Sequence, residues 1–277
     1  TLTYTIDIYR KQLVPTRSVV TFFTFVAFFP QLVAGPIERA RDMIPQLSSK
    51  RRFDYNQATD GMRQILWGFF QKVVIADNCA PIVDQIFASP NEMGTVTLIL
   101  GAVLFAFQIY GDFSGYSDIA LGLAKMFGFD LMVNFRTPYF SRDRAEFWRR
   151  WHISLSTGVR DYLYIPLGGS KGERFQQIRN VFIVFLISGF WHGANWTFIV
   201  WGGLNALFFL PLLISNNNRR HLNIDVYAPS WRVLLNIGFT FALTCFAWIF
   251  FRAESVSDAW SYIVAITNWN ATGSEPS

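Results

Sequence analysis

The chain has 277 residues, of which 52% are hydrophobic and only 16% charged, against about 25% charged in a soluble domain. Its apolar residues fall into long runs, which excludes an ordinary soluble globule and points to a multi-pass, all-α membrane bundle. The net charge of +5 sits in loops between those runs, where it orients helices rather than gripping nucleic acid, and two cysteines and three histidines give no disulfide framework or metal spacing.

In chain order, the opening residues through Arg10 read as the tail of a helix. Residues 18–37 are uncharged and carry Pro30 and Pro36 near their end. Proline breaks the helical ladder, so this is a span stopping near Phe29 or a re-entrant piece. A basic loop, 38–63, precedes a weaker apolar stretch, 64–75, interrupted by Lys72. Residues 93–111 form a clear span that runs into Asp112 and Asp118, read as acids holding a loop through backbone N–H groups. A helical pattern resumes over 119–129.

Residues 134–180 are the longest polar region, with nine basic against four acidic side chains, which places this loop on the cytoplasmic side. Within it Ser141 is a candidate helix cap. Glu146 and Arg150 share one face at i,i+4, while Phe147, Trp148, Trp151 and Leu155 gather on another, with His152 beside them. This amphipathic helix is expected to lie at or dip into the membrane surface. Residues 181–214 then run for 34 positions without Asp, Glu, Lys or Arg. That is too long for one span of roughly 20 residues, and Gly189, Gly193 and Asn195 interrupt it. Two helices, or one bent helix, should meet near His192. An ionisable group at membrane depth is a functional candidate by default. A short loop, 215–230, a span over 233–251 and a helix over 258–266 complete the pattern. The polar tail, 270–277, gives no stop to the architecture, so residues 1–277 are expected to be one domain truncated at both ends.

Several motifs occur in order. They are Phe29-Pro30-Gln31-Leu32-Val33-Ala34-Gly35-Pro36, then Asp112-Phe113-Ser114-Gly115-Tyr116-Ser117-Asp118, then Asn134-Phe135-Arg136-Thr137-Pro138-Tyr139. Trp151-His152-Ile153-Ser154-Leu155-Ser156, Asp161 through Gly169, and Ser188-Gly189-Phe190-Trp191-His192-Gly193 follow. Through these the chain resembles the membrane-bound O-acyltransferase superfamily, in its bacterial, alginate O-acetyltransferase-like branch. The resemblance implies a helical fold with a funnel through the bacterial inner membrane, His192 as catalytic base and His152 as the second signature residue near the cytoplasmic entrance. Gly158 departs from the pattern, since alginate-type members usually carry a bulky aromatic there.

The implied reaction takes an acyl group, acetyl above all, from a cytoplasmic thioester donor, acetyl-CoA or an acyl carrier. It passes toward a hydroxyl of an exported polysaccharide such as alginate, with membrane lipid around the chain and extracytoplasmic acetyltransferases as partners. No bound cofactor, metal or nucleic acid is expected. No donor-binding set is defined; Asn195, Trp191, Asp112 and Asn134 are the candidates. The alternative is a transporter or channel subunit with His192 as a proton relay.

Overall fold

The computed structural model describes residues 2–32, 35–222 and 230–268. The polar tail, the middle of the 215–230 loop and Val33–Ala34 of the first motif lie outside them. Among the described residues every regular element is helical. In order these are α1 (Leu2–Tyr9), α2 (Val19–Val26), α3 (Ala40–Ser48), α4 (Tyr55–Phe69), α5 (Asp77–Ala88) and α6 (Thr95–Met126). Then come α7 (Arg144–Arg150), α8 (Ile153–Val159), α9 (Arg174–His192), α10 (Trp196–Ile214), α11 (Trp231–Arg252) and α12 (Val256–Thr267). Three of them, α6, α10 and α11, are long and apolar enough to cross a membrane.

Helix α6 is the central post, with α4, α5, α11 and α12 packed on it. Its 32 residues give a length of about 48 Å. The expected break at Asp112–Asp118 is therefore absent, and neither acid holds a loop. Both are satisfied sideways instead. Lys72 Nζ lies 2.7 Å from both Asp112 and Asp77, and Gln64 Nε2 donates to Asp118 at 2.8 Å. Lys72 belongs to a π-helical turn, Phe70–Ala76, that joins α4 to α5. The weak 64–75 stretch is thus part of a long rod laid against α6.

Glycine lets these backbones approach closely. A Cβ at Gly61 or Gly68 of α4 would lie 2.5 Å from the carbonyl oxygen of Gly122 or Gly115 on α6. Small residues at a helix crossing are a common device where lipid supplies no hydrophobic drive between helices. The same device joins α9 to α10: Gly189 faces the Phe198 carbonyl and Gly202 the Phe185 carbonyl, each too close for any side chain. The 181–214 run is accordingly a hairpin, turned at 193–195 as its glycines predict. Both helices have 19 residues, but only α10 is apolar enough for a full span, because α9 opens with the polar run Arg174 to Asn180.

The amphipathic helix departs most from expectation. Asp143 rather than Ser141 caps it, accepting from Glu146 N–H at 2.7 Å, while the Ser141 hydroxyl donates to Pro138 O. Helix α7 ends at Arg150, so His152 and Leu155 do not continue its apolar face. Both faces of α7 are packed within the protein. Arg144, Glu146, Phe147, Arg150 and Trp151 are all buried. Arg144 bonds Asn205 of α10 and Thr244 in the middle of α11, and Trp151 packs 5.1 Å from Trp248. The sequence pairing does hold: Arg150 Nη2 meets Glu146 Oε1 at 2.8 Å, and Arg142 grips the other carboxylate oxygen at 3.0 Å. A paired, hydrogen-bonded cluster is the form in which charges tolerate burial.

Candidate active site

His152 sits at the corner between α7 and α8, with left-handed backbone angles (φ 45°, ψ 56°). A non-glycine residue there is strained, and such strain persists only where the surroundings over-determine it. Here two backbone bonds clamp the corner to the 134–136 segment. Ile153 N–H donates to Asn134 O at 2.9 Å, and Arg136 N–H to Arg150 O at 3.0 Å.

Asn134 is fully buried and acts as the hub of this corner. Its Nδ2 donates to Ser117 Oγ of α6 at 3.0 Å. Its Oδ1 accepts from Ser154 Oγ at 2.6 Å and faces His152 Nδ1 at 3.4 Å. Ser154 Oγ in turn accepts from Ile37 N–H at 3.0 Å. Four segments distant in sequence thus meet at one amide. With Asn134 Oδ1 as its acceptor, Nδ1 of His152 carries the proton and Nε2 is the basic nitrogen. Phe113 of α6 stands edge-on to the imidazole at 4.7 Å. Burial first, and then the nearby His192, push the His152 pKa down to about 3, so the ring is neutral at physiological pH.

His192 is the last residue of α9. The chain turns there because Gly193 lies against the Phe198 ring, where a Cβ would come within 2.6 Å of a ring carbon. The imidazole is half-buried in an aromatic cage. Trp201 and Phe251 both stand edge-on at 5.2 Å, and Trp191 at 5.0 Å. Among the described residues no side chain hydrogen-bonds either ring nitrogen, so the ring is held by packing alone. Trp191 is also 6.1 Å from the His152 ring. The structure therefore brings His152, Trp191 and His192 together, with the tryptophan between the two imidazoles and 56% exposed.

The other two candidates lie elsewhere. Asn195 caps α10, accepting from Thr197 N–H at 3.2 Å, and its Nδ2 donates to Glu254 O at 2.9 Å. It ties the hairpin tip to the end of α11. Asp112 belongs to the Lys72 cluster on the far side of α6. Among the described residues no group of three or more His, Cys, Asp or Glu side chains converges as a metal site would require. A largely apolar cavity of about 240 Å³ lies between α8 and the α9–α10 hairpin; neither histidine lines it. Its wall includes Trp148, Ser156 and Ser188, the last one turn before His192, and its rim carries Arg160 and Arg219. Gly158 lies in α8 with nothing within 4 Å of where its Cβ would be, so a side chain could begin there without a clash. The cavity and the Asn134 hub escaped sequence reasoning, because both are built from side chains scattered over separate segments.

Residues 10–251 match the family model of membrane-bound O-acyltransferases, and the chain belongs to that family. A probable alginate O-acetylase of Azotobacter vinelandii is 46% identical over 265 residues, covering 96% of this chain and 51% of that protein. A peptidoglycan O-acetyltransferase of Helicobacter pylori is 38% identical over 248 residues, 89% of this chain and 46% of that protein. A teichoic acid D-alanyltransferase of Bacillus subtilis is 28% identical over 249 residues, 83% of this chain and 60% of that protein. The chain spans about half the length of the curated alginate and peptidoglycan relatives it matches.

Proposed function

We propose that this chain is the core of an inner-membrane, multi-pass O-acyltransferase. It moves an acetyl group from a cytoplasmic thioester donor, acetyl-CoA or an acyl carrier, toward a hydroxyl of an exported cell-envelope polysaccharide such as alginate. The observation that carries the reading is the pairing of His152 and His192 around Trp191. Two imidazoles drawn together from segments 40 residues apart, in a site poor in charge, suit proton transfer at a reacting hydroxyl.

In this mechanism His192 Nε2 or Nδ1 takes the proton of the acceptor hydroxyl as its oxygen attacks the thioester carbonyl. The thiolate leaves and the proton returns to it. The half-exposed Trp191 marks the side from which the acceptor reaches His192. His152, fixed by Asn134, presents its basic Nε2 within the same site and helps orient the reactants. The apolar cavity takes the acyl end of the donor, and Arg160 and Arg219 at its rim suit the phosphates of a pantetheine-bearing carrier. Holding both reactants in a funnel supplies proximity. The names of the relatives, which cover alginate, peptidoglycan and teichoic acid, support an envelope polymer as acceptor. Partner acetyltransferases outside the membrane would complete the transfer.

The test uses membranes carrying the whole protein, supplied with donor labelled in its acetyl group. Label appearing on polysaccharide, or on a partner acetyltransferase, is expected. Proton or solute flux with no covalent transfer would overturn the reading in favour of a transporter.

A further inference from the structure

A second cavity, of about 410 Å³, opens between α10 and α11 beside the start of α7. It is distinct from the histidine site and shares no lining residue with the first cavity. Its lining includes the basic side chains Arg142, Arg144, Arg220 and His221, with Asn236. It also includes the apolar Phe208, Phe239 and Leu243, of which Phe239 is 67% exposed.

Among the described residues, little negative charge meets these side chains. Arg142 is engaged by Glu146, which also carries Arg150. Asp143 is the one carboxylate among the lining residues; its Oδ1 accepts from the Glu146 N–H and its Oδ2 lies 3.7 Å from His221 Nε2. Arg144 is 97% buried, with neutral partners only, Asn205 and Thr244, and no ion pair among the described residues; its Nε is buried with no partner at all. Burial pushes its pKa down to about 9, the mark of a cation lacking a counter-charge. Arg220 is exposed and forms no ion pair among the described residues. The loop bearing it is fixed to α7, because Arg149 donates to the carbonyls of Asn218 and His221, at 3.1 Å each.

We propose that this cavity binds one anionic phospholipid, its headgroup phosphate at the Arg142 and Arg220 side chains and one acyl chain along Phe208, Phe239 and Leu243. A free anion would need no apolar slot, and a neutral lipid would bring no counter-charge to Arg144 and Arg220. The slot also lies between two helices long and apolar enough to cross a membrane, where a lipid arrives laterally. The inference is independent of the acyl-transfer reading.

The test is native mass spectrometry of the whole protein in detergent, titrated with phosphatidylglycerol and with phosphatidylcholine of the same chains. Tighter binding of phosphatidylglycerol is expected, falling about fivefold in Arg220→Ala, the share of one basic side chain near a phosphate. Leu243→Trp fills the slot while leaving every arginine in place, and should also weaken binding. Equal binding of the two lipids, or no change in either variant, would overturn the proposal. So would displacement of the lipid by soluble glycerol phosphate at equal concentration, which would mark a site for free anions.

Discussion

The buried cluster on α7 sets up a sharp stability test. Glu146 is wholly buried and Arg150 is 2% exposed. Glu146 Oε1 accepts from Arg150 Nη2 at 2.8 Å, while Oε2 accepts from the Arg142 backbone and Nε at 2.8 and 3.0 Å. In Glu146→Ala, Arg150 loses its carboxylate and retains neutral partners such as the Arg136 carbonyl at 3.2 Å and the Thr137 hydroxyl at 3.0 Å. Breaking a buried pair from one side costs about 3–5 kcal/mol. A double variant, Glu146→Met with Arg150→Met, should recover the part of that loss owed to Arg150, but not the part owed to Arg142, which still loses the Glu146 carboxylate. Desolvation alone would raise the Glu146 pKa, but the bonds from Arg142 and then Arg150 outweigh it and hold the group below its ordinary 4.5. Its stabilisation is thus present above pH 4.5 and is lost as pH falls through the depressed folded-state value. Thermal denaturation in detergent, read by tryptophan fluorescence, measures each variant. A loss under about 1 kcal/mol in Glu146→Ala, the range of an exposed ion pair, would refute the burial argument.

Three further predictions rest on other contacts. Gly68→Val places side-chain atoms against the Gly115 carbonyl, so α4 must shift from α6; a large drop in melting temperature is expected, whereas Gly158→Trp, whose Cβ meets nothing within 4 Å, should leave it near wild type. Glu38 is buried beneath the Met132 N–H, and burial pushes its pKa up to about 7. The stability associated with its protonated form is full below pH 4.5 and lost as pH rises through 7. Glu38→Gln should therefore exceed wild type in melting temperature at pH 8 and match it near pH 5; parallel pH curves would contradict this. Asn134→Leu removes the acceptor of His152 Nδ1 and two further bonds, so acetyl transfer should fall at least tenfold, about 1.4 kcal/mol, with Asn134→Asp retaining more activity than Asn134→Leu.

The helical plan was largely legible in the sequence, since long uncharged runs leave few alternatives. The hairpin at 193–195 showed itself through its glycines, and α12 through the residues that follow Arg252. Asp112 and Asp118 mislead, because charges beside a span suggest a loop. Lys72 and Gln64, 40 and 54 residues away, allow both acids to ride on a continuous helix. The α7 region misleads for a related reason. An amphipathic pattern states that one face is polar, not that the polar face meets water. Arg142, Glu146 and Arg150 satisfy one another, and that lets the helix enter the bundle. His152 and His192 stood out as residues, but their meeting at Trp191 depends on the corner after Arg150. The glycine spacing of seven between Gly61 and Gly68, and again between Gly115 and Gly122, was a readable signal of close helix approach.

His192→Ala in the whole protein tests the central claim most directly. Acetylation of the polysaccharide is measured in membranes, alongside the melting temperature of the purified variant. The account predicts that acetyl transfer is abolished while the protein stays folded with a modestly lowered melting temperature, because aromatic packing of a half-buried ring is lost but no side-chain hydrogen bond is. Acetyl transfer retained by a folded His192→Ala protein would contradict it.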